Sequence, residues 1–324
     1  MGSAMPPRYS RRMSVLTFTD RGIHCPAGDF YIDPHRPVAR ALVTHGHSDH
    51  ARSGHGAMLC TKAAAPVIAH RLRNSPETIA YGETRQIGEA RVSFHSAGHV
   101  VGSAQIRVEV AGEVWVVSGD YKLEPDGVSE PFEPVRCHTF ISECTFGLPV
   151  FRWQPQRHVM AGIDQWWAAN RAAGRVSVLT AYSLGKAQRL LANLSRDIGP
   201  VLCHPTIAAT NDVLRAQGVA LPETGTLTGD TLPGGALILT PGAASLTLSQ
   251  PVAVANASGW MALGARRRMG RADAAFVLSD HADWPDLNRA VRESGATRVF
   301  ATHGYVEPFR RWLAEAGYEA GVVA

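Results

Sequence analysis

The chain has 324 residues, with 45% hydrophobic and 19% charged side chains, enough for a large core and ordinary for a globular protein. A formal charge of +4 permits acidic partners without demanding them, and lysine occurs only at Lys62, Lys122 and Lys186, so arginine carries the positive charge. The absence of any apolar run of membrane-spanning length argues against a membrane protein.

In chain order, the first half reads as short strands with tight turns. Strands are expected at 30–32, 40–43, 57–61, 91–95 and 139–142, with a helix over 63–73. A hairpin is expected where 105–110 and 113–117 flank Ala111-Gly112. From residue 156 the pattern changes. Helices at 156–173, after Lys186 and at 207–217 alternate with strands at 175–180, 200–203, 236–239 and 252–255, which predicts a parallel sheet covered by helices. The last section continues with a strand at 274–278, a helix opened by Asp283-Trp284-Pro285, a strand at 298–301 and a helix at 306–316. Five cysteines (Cys25, Cys60, Cys137, Cys144, Cys203) form no CxxC pair, and the Arg-rich start lacks the apolar segment of a signal peptide. Both features predict a reducing, cytoplasmic setting.

The densest chemistry lies in Thr44-His45-Gly46-His47-Ser48-Asp49-His50, directly after an apolar strand. Four good ligands so close together cannot all reach one small cation, but they can serve two adjacent ones. Nitrogen and oxygen donors without thiolate favour zinc, with manganese possible. Further donors stand downstream at expected strand ends: His99 between glycines, Asp120 after Val116-Val117-Ser118-Gly119, and His303 after Val299-Phe300-Ala301-Thr302. The expected sets are His45, His47 and His99 on one metal and Asp49, His50 and His303 on the other, with Asp120 bridging.

This pattern resembles the metallo-β-lactamase fold, an αββα sandwich. Three further stretches resemble its β-CASP branch, whose members cut nucleic acid: Ser142-Glu143-Cys144-Thr145-Phe146-Gly147, Leu278-Ser279-Asp280-His281-Ala282-Asp283 and Thr302-His303-Gly304. The likeness is greatest to bacterial ligase-associated DNA exonucleases, relatives of the DNA crosslink-repair nucleases. It implies a metallo-β-lactamase domain in two parts, 1–150 and 258–324, around an α/β β-CASP insert at 151–257. It implies a two-metal DNA nuclease, exonucleolytic and active in repair or end processing, with a DNA ligase or helicase as a possible partner. Catalytic roles then fall to Asp49, to His281 as proton donor or stabiliser of the leaving oxygen, and to Glu143 as the group orienting His281. Nucleic acid contacts are expected from Ser183 and Lys186, where a helix begins, and from Arg266, Arg267 and Arg268 beside Trp260. Three alternatives remain at this stage, one of them a metal-free binding protein that has lost catalysis, whose usual mark is a missing ligand. Eukaryotic members with histidine at the position of His303 act on RNA, so an RNA-processing nuclease is open. A thiolester or lactone hydrolase would share the metal ligands but has no use for the insert.

Overall fold

A computed structural model describes residues 14–241, 246, 248–264 and 272–323. The first strands are β1 (Thr17–Thr19), β2 (Gly22–Cys25), β3 (Phe30–Ile32), β4 (Arg40–Leu42) and β5 (Ala57–Thr61). Helix α1 (Ala65–Leu72) leads to β6 (Glu77–Ile79), and these six strands make one sheet in chain order. Next come β7 (Thr84–Ile87), β8 (Ala90–Ser96), β9 (Ala104–Val110), β10 (Glu113–Val117) and β11 (Thr139–Cys144). The β9–β10 hairpin turns on Ala111 (φ 49°) and Gly112 (φ 82°). Two left-handed residues match the right-handed twist of the strands they join.

The middle of the chain holds α2 (Gln156–Ala172), β12 (Val176–Thr180), α3 (Lys186–Asn193), β13 (Val201–Cys203), α4 (Pro205–Ala216), β14 (Gly225–Thr226), β15 (Leu237–Thr240) and β16 (Val252–Ala257). A 3-10 turn at Gly259–Leu263 precedes β17 (Ala274–Phe276), α5 (Trp284–Ser294), β18 (Arg298–Gly304), α6 (Val306–Glu315) and β19 (Glu319–Val322). The second sheet runs β19-β18-β11-β10-β9-β8-β7 and the third, parallel throughout, β14-β13-β15-β12-β16-β17. The third sheet thus extends beyond the expected boundary at 257. Ala274–Phe276 pairs with β16 because Ala255, Asn256 and Ala257 offer it a free parallel edge.

Alternating side chains build the layers. Ile23, Phe30, Ile32, Leu42 and Leu59 of the first sheet share one core with Val92, Phe94, Ile106, Val108 and Trp115 of the second. The opposite face of the first sheet (Ala41, Met58, Cys60) packs on Ile68 of α1, and that of the second (Val116, Phe140, Val299) on Leu287 of α5 and Phe309 of α6. The order is helix, sheet, sheet, helix. Trp167, Leu190 and Ile207 of α2, α3 and α4 cover Leu179, Leu237 and Leu239 of the third sheet. Val67, Val100 and Val101 meet Leu184 and Leu214 where this unit joins the rest.

The strands missed in the sequence, β1, β2, β6, β7, β14 and β19, are only two to four residues long. Neighbouring strands hold them, and stretches this short carry little apolar period of their own.

Candidate metal centre

Strand β4 delivers the His-rich turn, and the ends of β8, β10, β11 and β18 converge on it. His45 Nε2 and His99 Nε2 each lie 3.1 Å from His47 Nδ1. The Asp120 carboxylate is 3.5 Å from His45 Nε2 and 3.8 Å from His99 Nε2. One donor atom from each of these four residues falls within 4.8 Å of the others, a grouping that can hold a metal ion. A second grouping joins His50, Asp120 and His303, with His50 Nε2 3.4 Å and His303 Nδ1 3.9 Å from the shared carboxylate. Asp120 belongs to both.

Asp49 departs from expectation. It is not in the second grouping; its carboxylate stands 3.7 Å from His50 Nε2 with the side chain 64% exposed. The turn that buries His50 points the preceding residue toward solvent, so Asp49 sits on the rim of the cleft.

The imidazoles of His45, His47, His99 and His50 each have one nitrogen facing the centre and one held from outside. His45 Nδ1 meets Thr44 Oγ1 at 3.1 Å, His47 Nε2 the Leu184 carbonyl at 3.2 Å, and His99 Nδ1 the Asp280 carbonyl at 2.7 Å. His50 Nδ1 is 2.8 Å from Asp33 Oδ2, and Asp33 also accepts hydrogen bonds from the Thr44 backbone and hydroxyl. Such outer partners fix ring orientation and tautomer. Asp33 takes a left-handed φ of 44°, which a short polar side chain tolerates. The sequence marked it only as a residue before proline; its carboxylate three-dimensionally behind His50 left no local signal.

Two backbone devices aim these donor side chains. Gly119 has φ 57°, and a Cβ there would lie 2.7 Å from Thr44 Cβ, so only glycine lets β10 end against the His-rich turn with Asp120 facing inward. Between β11 and β18, Glu143 pairs with Thr302 and Cys144 with Gly304. His303 is therefore the extra residue of a β-bulge, with φ 53°.

Burial, followed by the neighbouring His50, pushes the His45 pKa well below its ordinary value. Burial likewise lowers His47 and, joined by His281, lowers His99 strongly. All three are neutral imidazoles with lone pairs, the state a metal requires. For His50, burial is outweighed by Asp120 and Asp33, which raise its pKa. Burial would raise the Asp120 pKa, but His50 and His281 hold it well below the carboxylate range. His50 Nε2 and Asp120 Oδ1 are buried without a hydrogen-bond partner among the described residues. Orphaned ligand atoms buried at one centre are what a site shaped for cations leaves behind.

His281 faces this centre from the loop before α5. Its Nδ1 is 2.9 Å from Glu143 Oε1, and the buried Glu143 also accepts from the Tyr121 and Thr145 backbones. Burial lowers the His281 pKa, but Glu143 and Asp120 outweigh it and raise it to about 9. Asp283 caps α5 by accepting from Asp286 N at 3.0 Å and also accepts from Trp153 N at 2.8 Å, which fixes the loop. Asp120, His281, Phe146, Trp260 and Asp49 line a cleft of about 470 Å³.

Lys186 is not the free cation expected at a helix start. It is buried, with Nζ 3.0 Å from Asp280 Oδ2 and donating to the Leu278 carbonyl at 3.0 Å. Arg189 meets the other Asp280 oxygen at 3.2 Å. The pair neutralises Asp280, whose backbone holds His99, so α3 braces the centre. The sequence placed no weight on Asp280 or Arg189, because their partners are about ninety residues away. Ser183 is half-buried, and its carbonyl accepts from Gln188. Arg266, Arg267 and Arg268 lie outside the described residues. Trp260 packs on Phe146 at 4.8 Å between ring centroids.

No helix among the described residues is long and apolar enough to cross a membrane. No protein-family model matches the chain. It is 33% identical over 311 residues, 93% of its length, to a protein named probable DNA ligase from Opitutus terrae, matching 30% of that relative. It is 34% identical over 120 residues, 36% of its length, to endoribonuclease YSH1 of Gibberella zeae, matching 14% of that protein. The chain spans less than a third of the length of these curated relatives. Its fold is similar, at a TM-score of 0.60 and 13% identity, to the crystal structure of a protein of unknown function from Enterococcus faecalis, over 88% of this chain and 79% of that one. The chain thus joins a mixed α/β fold with paired His/Asp groupings suited to metal ions to sequence similarity with proteins named for DNA joining and RNA cleavage.

Proposed function

We propose that the chain is a two-metal phosphodiester hydrolase of the metallo-β-lactamase fold, β-CASP branch, acting on DNA as an exonuclease in repair or end processing. The observation that carries this reading is the single Asp120 carboxylate set between three neutral imidazoles and the His50–His303 pair, opposite His281. The first and second sheets with their helices form the metallo-β-lactamase part, interrupted by the unit built on the third sheet. His45, His47, His99 and Asp120 would hold one ion, and His50, His303 and Asp120 the other. Nitrogen and oxygen donors suit zinc, and manganese is the alternative. When bound, such a pair supplies an activated water at neutral pH and charge to balance a phosphoryl oxygen.

The chain's own groups do the rest. Asp49, on the cleft rim, accepts a hydrogen bond from the attacking water and takes the proton that the water releases. That water's oxygen bonds to phosphorus as the bond to the leaving oxygen breaks. His281, protonated through its pairing with Glu143, passes a proton from Nε2 to that oxygen. Glu143 holds Nδ1, so the ring cannot turn away.

DNA is favoured because the similarity to the probable DNA ligase runs over 93% of the chain, against 36% for the endoribonuclease. An RNA substrate is the second reading, favoured by His303 itself. The test is paired digestion of end-labelled DNA and RNA oligonucleotides, with metal content measured on the same preparation. About two ions per chain and stepwise loss of DNA ends are expected. Cleavage of RNA alone would select the second reading, and hydrolysis of neither would overturn both.

A further inference from the structure

Three arginines surround the loop that carries the histidines, Arg52 on the loop itself and Arg71 and Arg73 at the end of α1, and the Asp49 carboxylate acts on Arg71 through space without forming an ion pair with it. Arg52 follows two residues after His50, is exposed, and donates from Nε to the Asp49 carbonyl at 3.3 Å. Arg71, in the last turn of α1, donates to the His47 carbonyl at 3.3 Å and to the Ala51 carbonyl. Arg73 caps the same helix and is exposed. None of the three forms an ion pair with a carboxylate among the described residues. Arg36 nearby differs, since it pairs with Asp20 at 2.8 Å.

These guanidinium groups border two depressions. One lies between Arg52 and Arg71, the other between Arg71, Arg73 and Ser183, and no carboxylate lines either. Ser48 lines both and lines the metal cleft as well, so the three hollows form one path around the His-rich turn. The carbonyl end of α1 accounts for cations at Arg71 and Arg73. It does not account for Arg52, which comes from a different segment. Nor does it explain why backbone carbonyls, rather than carboxylates, hold Arg52 and Arg71. Carbonyls fix a guanidinium in place and leave its charge intact, which suits a standing receptor for anions.

We propose that Arg52, Arg71 and Arg73 form a second phosphate-binding site, which grips the polynucleotide backbone beside the scissile phosphodiester. It deepens the nuclease reading and rests on it. Backbone contact without base contact gives affinity that is independent of sequence and steeply dependent on salt.

The test compares the wild type with Arg52→Gln/Arg73→Asn. Both side chains are exposed, and asparagine accepts the left-handed backbone (φ 55°) of Arg73. Unchanged thermal melting checks the fold, and Arg52→Gln alone serves if the double variant melts early. Anisotropy of a labelled 20-nucleotide single strand is followed from low to high salt. Hydrolysis of bis(p-nitrophenyl) phosphate, too short to reach the arginines, is measured in parallel. Binding is expected to weaken about tenfold and the slope of log K against log salt to flatten by about 1.4 for two lost contacts. Turnover of the small diester should stay at the wild-type rate. Unchanged affinity and slope would overturn the proposed site while leaving the nuclease reading intact. A wild type that binds the strand through these arginines but hydrolyses neither substrate would support the site and overturn the nuclease reading.

Discussion

His45 and His99 are buried and His47 half-buried, and all three are neutral and braced from outside, whereas the second half of the centre rests on His303, 47% exposed, with Asp49 at 64% beside it. In that half the His50 imidazole is held from outside by the Asp33 carboxylate. The difference teaches where rigidity comes from. The braced half draws on segments far away in the chain, the Leu184 carbonyl and the Asp280 loop. The open half draws on a β-bulge and a solvent-facing turn. Preorganised donors bind more tightly because less ordering remains to be done on binding, so the two halves should differ in metal affinity.

The largest effect is expected where the halves meet. Asp120→Asn should empty both and lower phosphodiester turnover by about 10³-fold or more, read by metal content and initial rate together. Retention of two ions would break the shared-carboxylate account. His281→Ala should lower turnover about 10²- to 10⁴-fold with metal content intact; a loss of metal instead would move His281 into the ligand set.

Asp280→Asn tests the braced half. It leaves Lys186 and Arg189 buried without their counter-charge and should destabilise the fold by about 3–5 kcal/mol, seen as a lower urea midpoint. Burial would raise the Asp280 pKa, but Lys186 and Arg189 hold it well below 3.8. The unfolded chain therefore takes up the proton more readily. The stabilisation is complete above about pH 4 and fades as pH falls through the depressed value. The variant should lack that acid dependence, and an unchanged acid limb would count against the pairing.

Asp33→Asn tests the open half, with about 10- to 100-fold weaker binding expected at His50 and little change at His47. Competition with a chelator reads this directly. In the wild type, one ion should leave well before the other; simultaneous release would erase the asymmetry. Replacing Cys25, buried at the end of β2 in the core between the first two sheets with its thiol pKa raised by burial, with alanine should leave metal content unchanged.

The sequence alone determined whatever is local. The seven-residue turn from Thr44 to His50 places its donors by covalent spacing, and the Ala111-Gly112 hairpin and the Asp283 cap follow from backbone preferences of a few adjacent residues. Strand-end placement of His99, Asp120 and His303 was legible for the same reason. Only the tertiary structure decided what lies behind those donors: Asp33 under His50, Asp280 gripped by Lys186 and Arg189, and Arg52 beside Arg71. It also turned Asp49 outward and Lys186 inward, and it carried the third sheet on to Ala274–Phe276. Asp280 lies about ninety residues from Lys186 and Arg189 and its carbonyl meets His99 across 181 residues, and the energy of burying a charge depends on partners that no local pattern encodes.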